Sequence, residues 1–213
     1  FSAVNNRKDI PQIGIVGEIY VKYNDFGHKH IVKWLIEQGV EPVVPPLSKF
    51  FIANIASNVA RVQGNIKPQV IPRFTLNLLK DIVYKIIRKM ESCITKYPYY
   101  IPFSNVFDDA KNASKIINLN AQFGEGWRIA AEFAEFVRHN INNVVSLQPF
   151  GCIANHVISK GIEKRAREVF PSLNLLFLDF DSGMSEVNIF NRLHFMIENA
   201  RKEKRTETAY YSR

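Results

Sequence analysis

Thiols are scarce in this chain, which carries only Cys93 and Cys152 among 213 residues. Two widely separated cysteines make no disulfide framework and no metal-ligand spacing of their own, so any metal cluster would need ligands from elsewhere. Long apolar runs are missing too: none approaches the roughly 18 to 20 residues that span a bilayer. The N-terminus lacks the order of charged, apolar and small residues that marks a signal peptide. These absences predict a soluble, cytoplasmic protein without a membrane partner. There is no G-x-x-x-x-G-K-S/T phosphate loop, no G-x-S-x-G elbow and no H-E-x-x-H, and IGIVGE from Ile13 holds only two glycines of a dinucleotide fingerprint. His28 and His30 stand two apart, so a helix would point them in different directions.

What is present is an ordinary globular composition, 46% apolar, enough for one sizeable domain or two small ones. A formal charge of +8 admits a nucleic-acid partner, an anionic ligand or a solvated surface. Lys160, Lys164, Arg165 and Arg167 share one expected helix, and Arg201, Lys202, Lys204 and Arg205 lie near the C-terminus. Neither group interleaves with aromatics as a single-strand binder requires. A solvated helix face and a frayed basic tail account for them, and no nucleic-acid partner is expected. The chain opens at Phe1 without an initiator methionine, as expected of a piece of something longer.

Gln12 to Ile19, QIGIVGEI, reads as a buried strand in which Gly14 and Gly17 allow close backbone approach. A helix over about Phe26 to Gln38, capped by Gly39, leads to a second strand at Val40 to Val44, stopped by Pro45 and Pro46. Leu47 to Val62 is mixed and apolar. After Pro72 a long helix carries Leu78, Leu79, Ile82, Val83, Ile86, Ile87, Met90 and Ile94 as one apolar stripe, with Cys93 as a structural residue. Tyr97 to Phe103 is an aromatic loop broken by prolines, and Ala110 to Ile117 a short helix. The α/β pattern resumes at Gly124-Glu125-Gly126-Trp127 with a helix to about His139. Strands at Val144 to Leu147 and Leu173 to Leu178 follow, with helices at Ile158 to Val169 and Glu186 to Ala200. The expected fold class is α/β: a parallel sheet of about four strands with helices on both faces. Residues 11–46 and 124–202 form one discontinuous domain, 47–123 a mainly helical insertion and 203–213 a basic tail.

Parallel sheets bind ligands outside the carboxyl ends of their strands, so the turns after the strands should share one rim. After the first strand come Glu18, Tyr20, Lys22, Tyr23 and Asn24; after the third, Gln148, Cys152, Asn155 and His156; after the fourth, Asp179, Asp181, Ser182 and Ser185. Glu125 opens the intervening helix. Glu18, Tyr20, Asn24, Glu125, Gln148, Asn155, His156 and Asp181 are therefore candidate pocket residues. Cys152, just ahead of a helix whose dipole favours an anion, is the candidate thiolate, as metal ligand or as nucleophile. Plainer readings stay open. Cys152 reads equally as a small buried apolar residue, His156 as a cap, Asp179 and Asp181 as turn residues, and Glu125 as a first-turn carboxylate. An enzyme using Cys152 and His156 for thiol chemistry without metal is a further option.

Four blocks, GIVGEIYVKYNDF, QFGEGWRIAAE, QPFGCIANHV and DFDSGMSEVNIFNRL, occur in this order between Pro11 and Asn199. As a set they resemble the 2-hydroxyacyl-CoA dehydratase superfamily, in the branch of CoA-substrate-specific enzyme activases and dehydratase-like proteins. The resemblance implies flavodoxin-like domains in an iron-sulfur protein of anaerobic metabolism. A [4Fe-4S] or double-cubane cluster would lie at a domain interface of the parent protein and be absent from this fragment. It further implies an ATP-dependent activator that supplies electrons and, in the dehydratases, radical removal of water from a 2-hydroxyacyl-CoA. Cys152 matches a family cysteine and is the implied cluster ligand. Ala154 stands where the branch commonly has proline, and Ser146 where it often has a second cysteine. One cysteine does not hold a four-iron cluster, so the other ligands would come from the remaining domains or a homologous subunit. The expected role is a domain of such a lyase or activase system, with acyl-CoA as a possible ligand and no turnover by itself. The alternative is a non-catalytic docking module for a partner domain or subunit.

Overall fold

The computed structural model describes residues 10–68, 72–95, 100, 102 and 104–211, with backbone only at 73, 79, 80 and 204–211. Most of the expected aromatic loop from Tyr97 to Phe103, and the side chain of Leu79, lie outside the described residues. Four strands, β1 (Gln12–Gly17), β2 (Glu41–Val43), β3 (Asn143–Pro149) and β4 (Asn174–Phe180), form one parallel sheet in the order β2-β1-β3-β4. Gln12 aligns with Glu41, Gly17 with Leu147, and Leu147 with Leu178. This is a flavodoxin-like α/β fold.

The strands read as nearly continuous apolar runs because helices cover both faces of the sheet. On one face, Val16 and Val144 join a core with Ala53 of α3 (Leu47–Gln63), Ala110 of α5 (Val106–Ala113) and Phe133 of α6 (Trp127–Arg138). Ala166 of α8 (Glu163–Val169) completes it. On the other, Ile13, Ile15 and Val145 meet Val21 of α1 (Ile19–Tyr23), Leu35 of α2 (Ile31–Glu37) and Leu193 of α9 (Glu186–Tyr211). Two helices of the 47–123 segment thus share the core of the sheet. α4 (Arg73–Ile94), the third, has no buried residue among those described.

Element ends differ from the sequence expectations for local reasons. β1 stops at Gly17 because Glu18 turns its carboxylate onto the Val21 N–H at 2.8 Å and caps α1, a helix the periodicity did not reveal. α2 starts five residues late, at Ile31, because Lys29 and His30 adopt left-handed φ of 52° and 57°. β3 and β4 run two residues further than expected, which draws Gln148 and Asp179 from the turns into the sheet. The helix expected from Ile158 is three pieces: α7 (Ile153–Asn155), a π-helical turn at His156–Lys160, and α8. α5 begins at Val106, where the Asn105 side chain accepts from the Phe107 N–H at 2.9 Å. α9 continues through the expected tail to Tyr211.

The closest approach in the sheet is at Gly17, whose φ is 119°. A Cβ there would stand 1.9 Å from the Leu147 carbonyl oxygen, which is itself bonded to the Glu18 N–H at 2.8 Å. No flexible side chain can relieve that clash. Gly17→Ala should therefore cost more than about 3 kcal/mol in urea denaturation. Gly39→Ala should cost only about 1 kcal/mol, because its φ is 73° but its Cβ would meet nothing within 4 Å. Equal losses would mean that the β1–β3 contact is not the tight point.

Candidate functional site

From β1 the chain moves to β2 on one side and later to β3 on the other, so the strand order reverses between β1 and β3. A crevice opens at the carboxyl ends of such a pair. Three segments meet there: the turn into α1, the Gly124–Gly126 turn before α6, and the turn from Pro149 into α7. Glu125 is buried, and its Oε1 accepts from the Ile19 N–H at 3.0 Å. With Glu18 on Val21, two carboxylates satisfy two free amides of α1, so both hold the turn in shape. Gly124, at φ 58°, lies against α7: a Cβ on it would be 3.2 Å from Asn155 Oδ1 and from the Ala154 methyl.

Asn155 is fully buried, and neither atom of its amide has a hydrogen-bond partner. Gln148 is equally buried. Its amide nitrogen donates to Asp179 at 2.6 Å, while its oxygen has no partner. Asp179 also receives Lys160 at 2.8 Å and lies 3.2 Å from His156 Nε2. Burial pushes the Asp179 carboxyl up, but the hydrogen bonds from Lys160 and Gln148 and the charges of Lys160 and His156 outweigh it. The net shift is below the ordinary carboxylate value.

Cys152 begins α7 and is partly exposed. Phe150, Ile153 and Val157 around it are exposed, and so is Phe123 beside Gly124, giving the rim an apolar surface. The helix after Cys152 continues through the π-helical turn at His156–Lys160 into α8. His156 does not face the sulfur: Nδ1 lies 3.0 Å from the Cys152 carbonyl oxygen and Nε2 faces Asp179. That arrangement does not form a thiol–imidazole pair.

The other sequence candidates separate from this cluster. Tyr20 is exposed on α1. Asn24 accepts from the Gly27 N–H at 2.9 Å, and Asp181 from the Gly183 N–H at 2.8 Å; both are turn residues. Cys93, expected to be structural, is exposed on α4. Among the described residues no three His, Cys, Asp or Glu side chains converge as metal ligands. The thiol of Cys152 can serve as one ligand of an iron-sulfur cluster, but the residues of this chain do not supply a set. Three of the four basic residues of the helix after β3 are locally paired, Lys160 with Asp179, Arg165 with Glu168 and Arg167 with Glu163.

Sequence reasoning missed a buried charge cluster behind the rim. Lys22 meets Glu132 at 2.7 Å, and Lys49 meets Asp109 at 2.8 Å and also Glu135. The Ser104 hydroxyl lies 2.7 Å from Asp109 and 2.6 Å from Glu135. Burial raises the Asp109 and Glu132 carboxyls against the opposing pull of Lys49 and Lys22. A cavity of ≈ 30 Å³ beside them, also lined by Glu125, Trp127 and Arg128, has room for about one water. The signal was in α6: Glu132 sits three residues after Ile129 and four before Phe136, on the inward stripe, where a carboxylate needs a cation.

Compared with family models, with curated proteins and with solved structures, the chain has no match.

The orphaned amide makes Asn155 costly to stability. Asn155→Leu should raise the unfolding free energy of the isolated chain by about 1 kcal/mol; a loss in chemical denaturation would show that the amide is bonded to solvent. Asp179 behaves oppositely. Its folded value lies below the unfolded one, so its stabilisation is present above about pH 3.9 and lost as pH falls through the folded value. Asp179→Asn should cost up to about 1 kcal/mol at neutral pH. In urea titrations at stepped pH the difference should vanish on acidification.

Proposed function

We propose that this chain is a domain of a 2-hydroxyacyl-CoA dehydratase-like or CoA-substrate-specific activase protein, contributing Cys152 as a single ligand to an iron-sulfur cluster. The remaining ligands belong to the other domains or to a homologous subunit, and the isolated domain has no turnover. An ATP-dependent activator as electron donor, acyl-CoA as ligand and a cytoplasmic location belong to the same reading. Among the described residues no helix is long and apolar enough to cross a membrane.

The observation that supports it is the setting of Cys152. A partly exposed thiol lies at the strand-order reversal, framed by exposed Phe150, Ile153 and Val157. An apolar rim around a reactive atom is what an interface-held group needs, because closure over it removes water from both. The buried, unpartnered Asn155 beside it is a polar group held ready at a cost to the fold.

A second reading, a docking module for a partner domain or subunit, has its own support in the exposed apolar stripe of α4.

The first reading is tested by anaerobic reconstitution of the full-length protein that carries this domain. Cys152→Ser should lower bound iron and the charge-transfer absorbance at about 400 nm, while Cys93→Ser should leave both unchanged. A Cys152→Ser protein with undiminished iron would remove the ligand role.

A further inference from the structure

Phe74, Leu78, Ile82, Ile86, Met90 and Ile94 recur every four residues along α4, and each is between 40% and 77% exposed. Among its described side chains the helix keeps only Leu76, Val83, Tyr84, Ile87 and Glu91 partly covered, and the Tyr84 hydroxyl lies 2.7 Å from Asn105 Oδ1. Twenty residues of helix carry this ridge over about 30 Å. An exposed apolar row of that length marks an interaction surface.

The shape of the row selects the kind of partner. Each four-residue step overshoots a full turn by about 40°, so the row winds about 200° around the axis from Phe74 to Ile94. A flat lipid surface would touch only a few of its members at once. A helix, by contrast, takes such a four-residue ridge into its own groove, at a crossing angle of about −50°. Leu78, Ile82, Ile86 and Met90 form the central stretch that such a crossing covers.

Charge selects further. Lys85 and Lys89 lie three residues after Ile82 and Ile86, so they form a row along one flank of the ridge, headed by Asp81. All are exposed, and among the described residues Lys85, Arg88 and Lys89 have no ion-pair partner. The opposite flank, with Val83 and Ile87, turns toward the body of the domain. A second copy docking through the same helix would offer its own Lys85 and Lys89, with Asp81 as the only carboxylate of that row.

We infer that α4 docks an acidic amphipathic helix of a partner domain or subunit, whose apolar face takes the ridge and whose carboxylates meet Lys85 and Lys89. This rests on the docking reading and is independent of Cys152.

The test uses the full chain and two designed helical peptides with the same leucine face, one flanked by glutamate and one by lysine. Fluorescence anisotropy should show the glutamate peptide binding at least about tenfold more tightly than the lysine peptide. The double variant Lys85→Glu, Lys89→Glu should reverse that order, and Ile86→Asp should abolish binding of both. These side chains are exposed, so the variants should keep the circular dichroism of the unmodified chain. Equal binding of the two peptides, preference for phosphatidylserine vesicles over the glutamate peptide, or self-association that the peptide does not compete with would overturn the inference. Binding of neither peptide, with apolar-dye binding still lost on Ile86→Asp, would end the acidic-helix assignment while leaving the docking reading intact.

Discussion

Everything at the rim hangs on the contact between Gly17 and Leu147. At φ 119° the β1 backbone comes so close to β3 that a methyl group would stand 1.9 Å from a carbonyl oxygen, and the next amide, Glu18, closes the contact with a 2.8 Å bond. That bond ends the strand and turns the chain, leaving Glu18 to cap α1 and Ile19 to be held by Glu125. Once those two segments are fixed, the turn carrying Cys152 and Asn155 packs against Gly124. A loosened contact at Gly17 would release the Glu125 tether and the seat of Asn155 together.

The sheet was legible in the sequence because β1, β3 and β4 are largely buried and read as mostly apolar runs between turn signals. The parallel class followed from helices placed between strands. What was not legible depends on single side chains acting on the backbone. Glu18 reads as the last residue of an apolar strand but behaves as a cap, and nothing in QIGIVGEI distinguishes the two. Lys29 and His30 in left-handed conformations shorten α2 although neither is a glycine. The π-turn at His156 depends on the buried pairing of Ser146 and Ser159 at 2.8 Å and on Asp179 gathering Lys160, contacts that appear only once β3 and β4 are paired. Of the site candidates, Glu125, Gln148, Asn155, His156 and Cys152 share the β3 side of the rim. Asn24 and Asp181 were polar residues that turns require for their own sake.

The buried ions behind the rim are not explained by stability. Lys22 with Glu132, and Lys49 with Asp109 and Glu135, pay desolvation that apolar residues of similar size would avoid. Their geometry has a different use. Lys22 comes from α1, Lys49 from α3, Asp109 from α5 and both glutamates from α6. The cluster therefore sets how the helices of the 47–123 segment register on the rest of the domain, where smooth apolar surfaces built largely from alanine, such as Ala53, Ala110 and Ala131, would slide. An ion pair tolerates little displacement; an alanine face tolerates much.

Two unlike exposed surfaces result from this construction. The rim carries exposed apolar side chains near Cys152 in sequence and two incompletely bonded buried amides, Gln148 and Asn155, beyond the carboxyl ends of β1 and β3. α4 is the reverse, a long helix standing on α5 through Tyr84, with its ridge turned outward and few attachments to the core. A patch set at the carboxyl ends of the central strands suits a group or partner that needs a defined seat. A lightly held helix suits a partner that approaches along its length and adjusts the crossing angle as it seats. The division follows from what anchors each helix: Lys49 and Asp109 tie α3 and α5 into the buried charge cluster, whereas α4 rests on the Asn105–Phe107 segment through Tyr84. That light attachment leaves its apolar ridge turned outward and free to meet a partner.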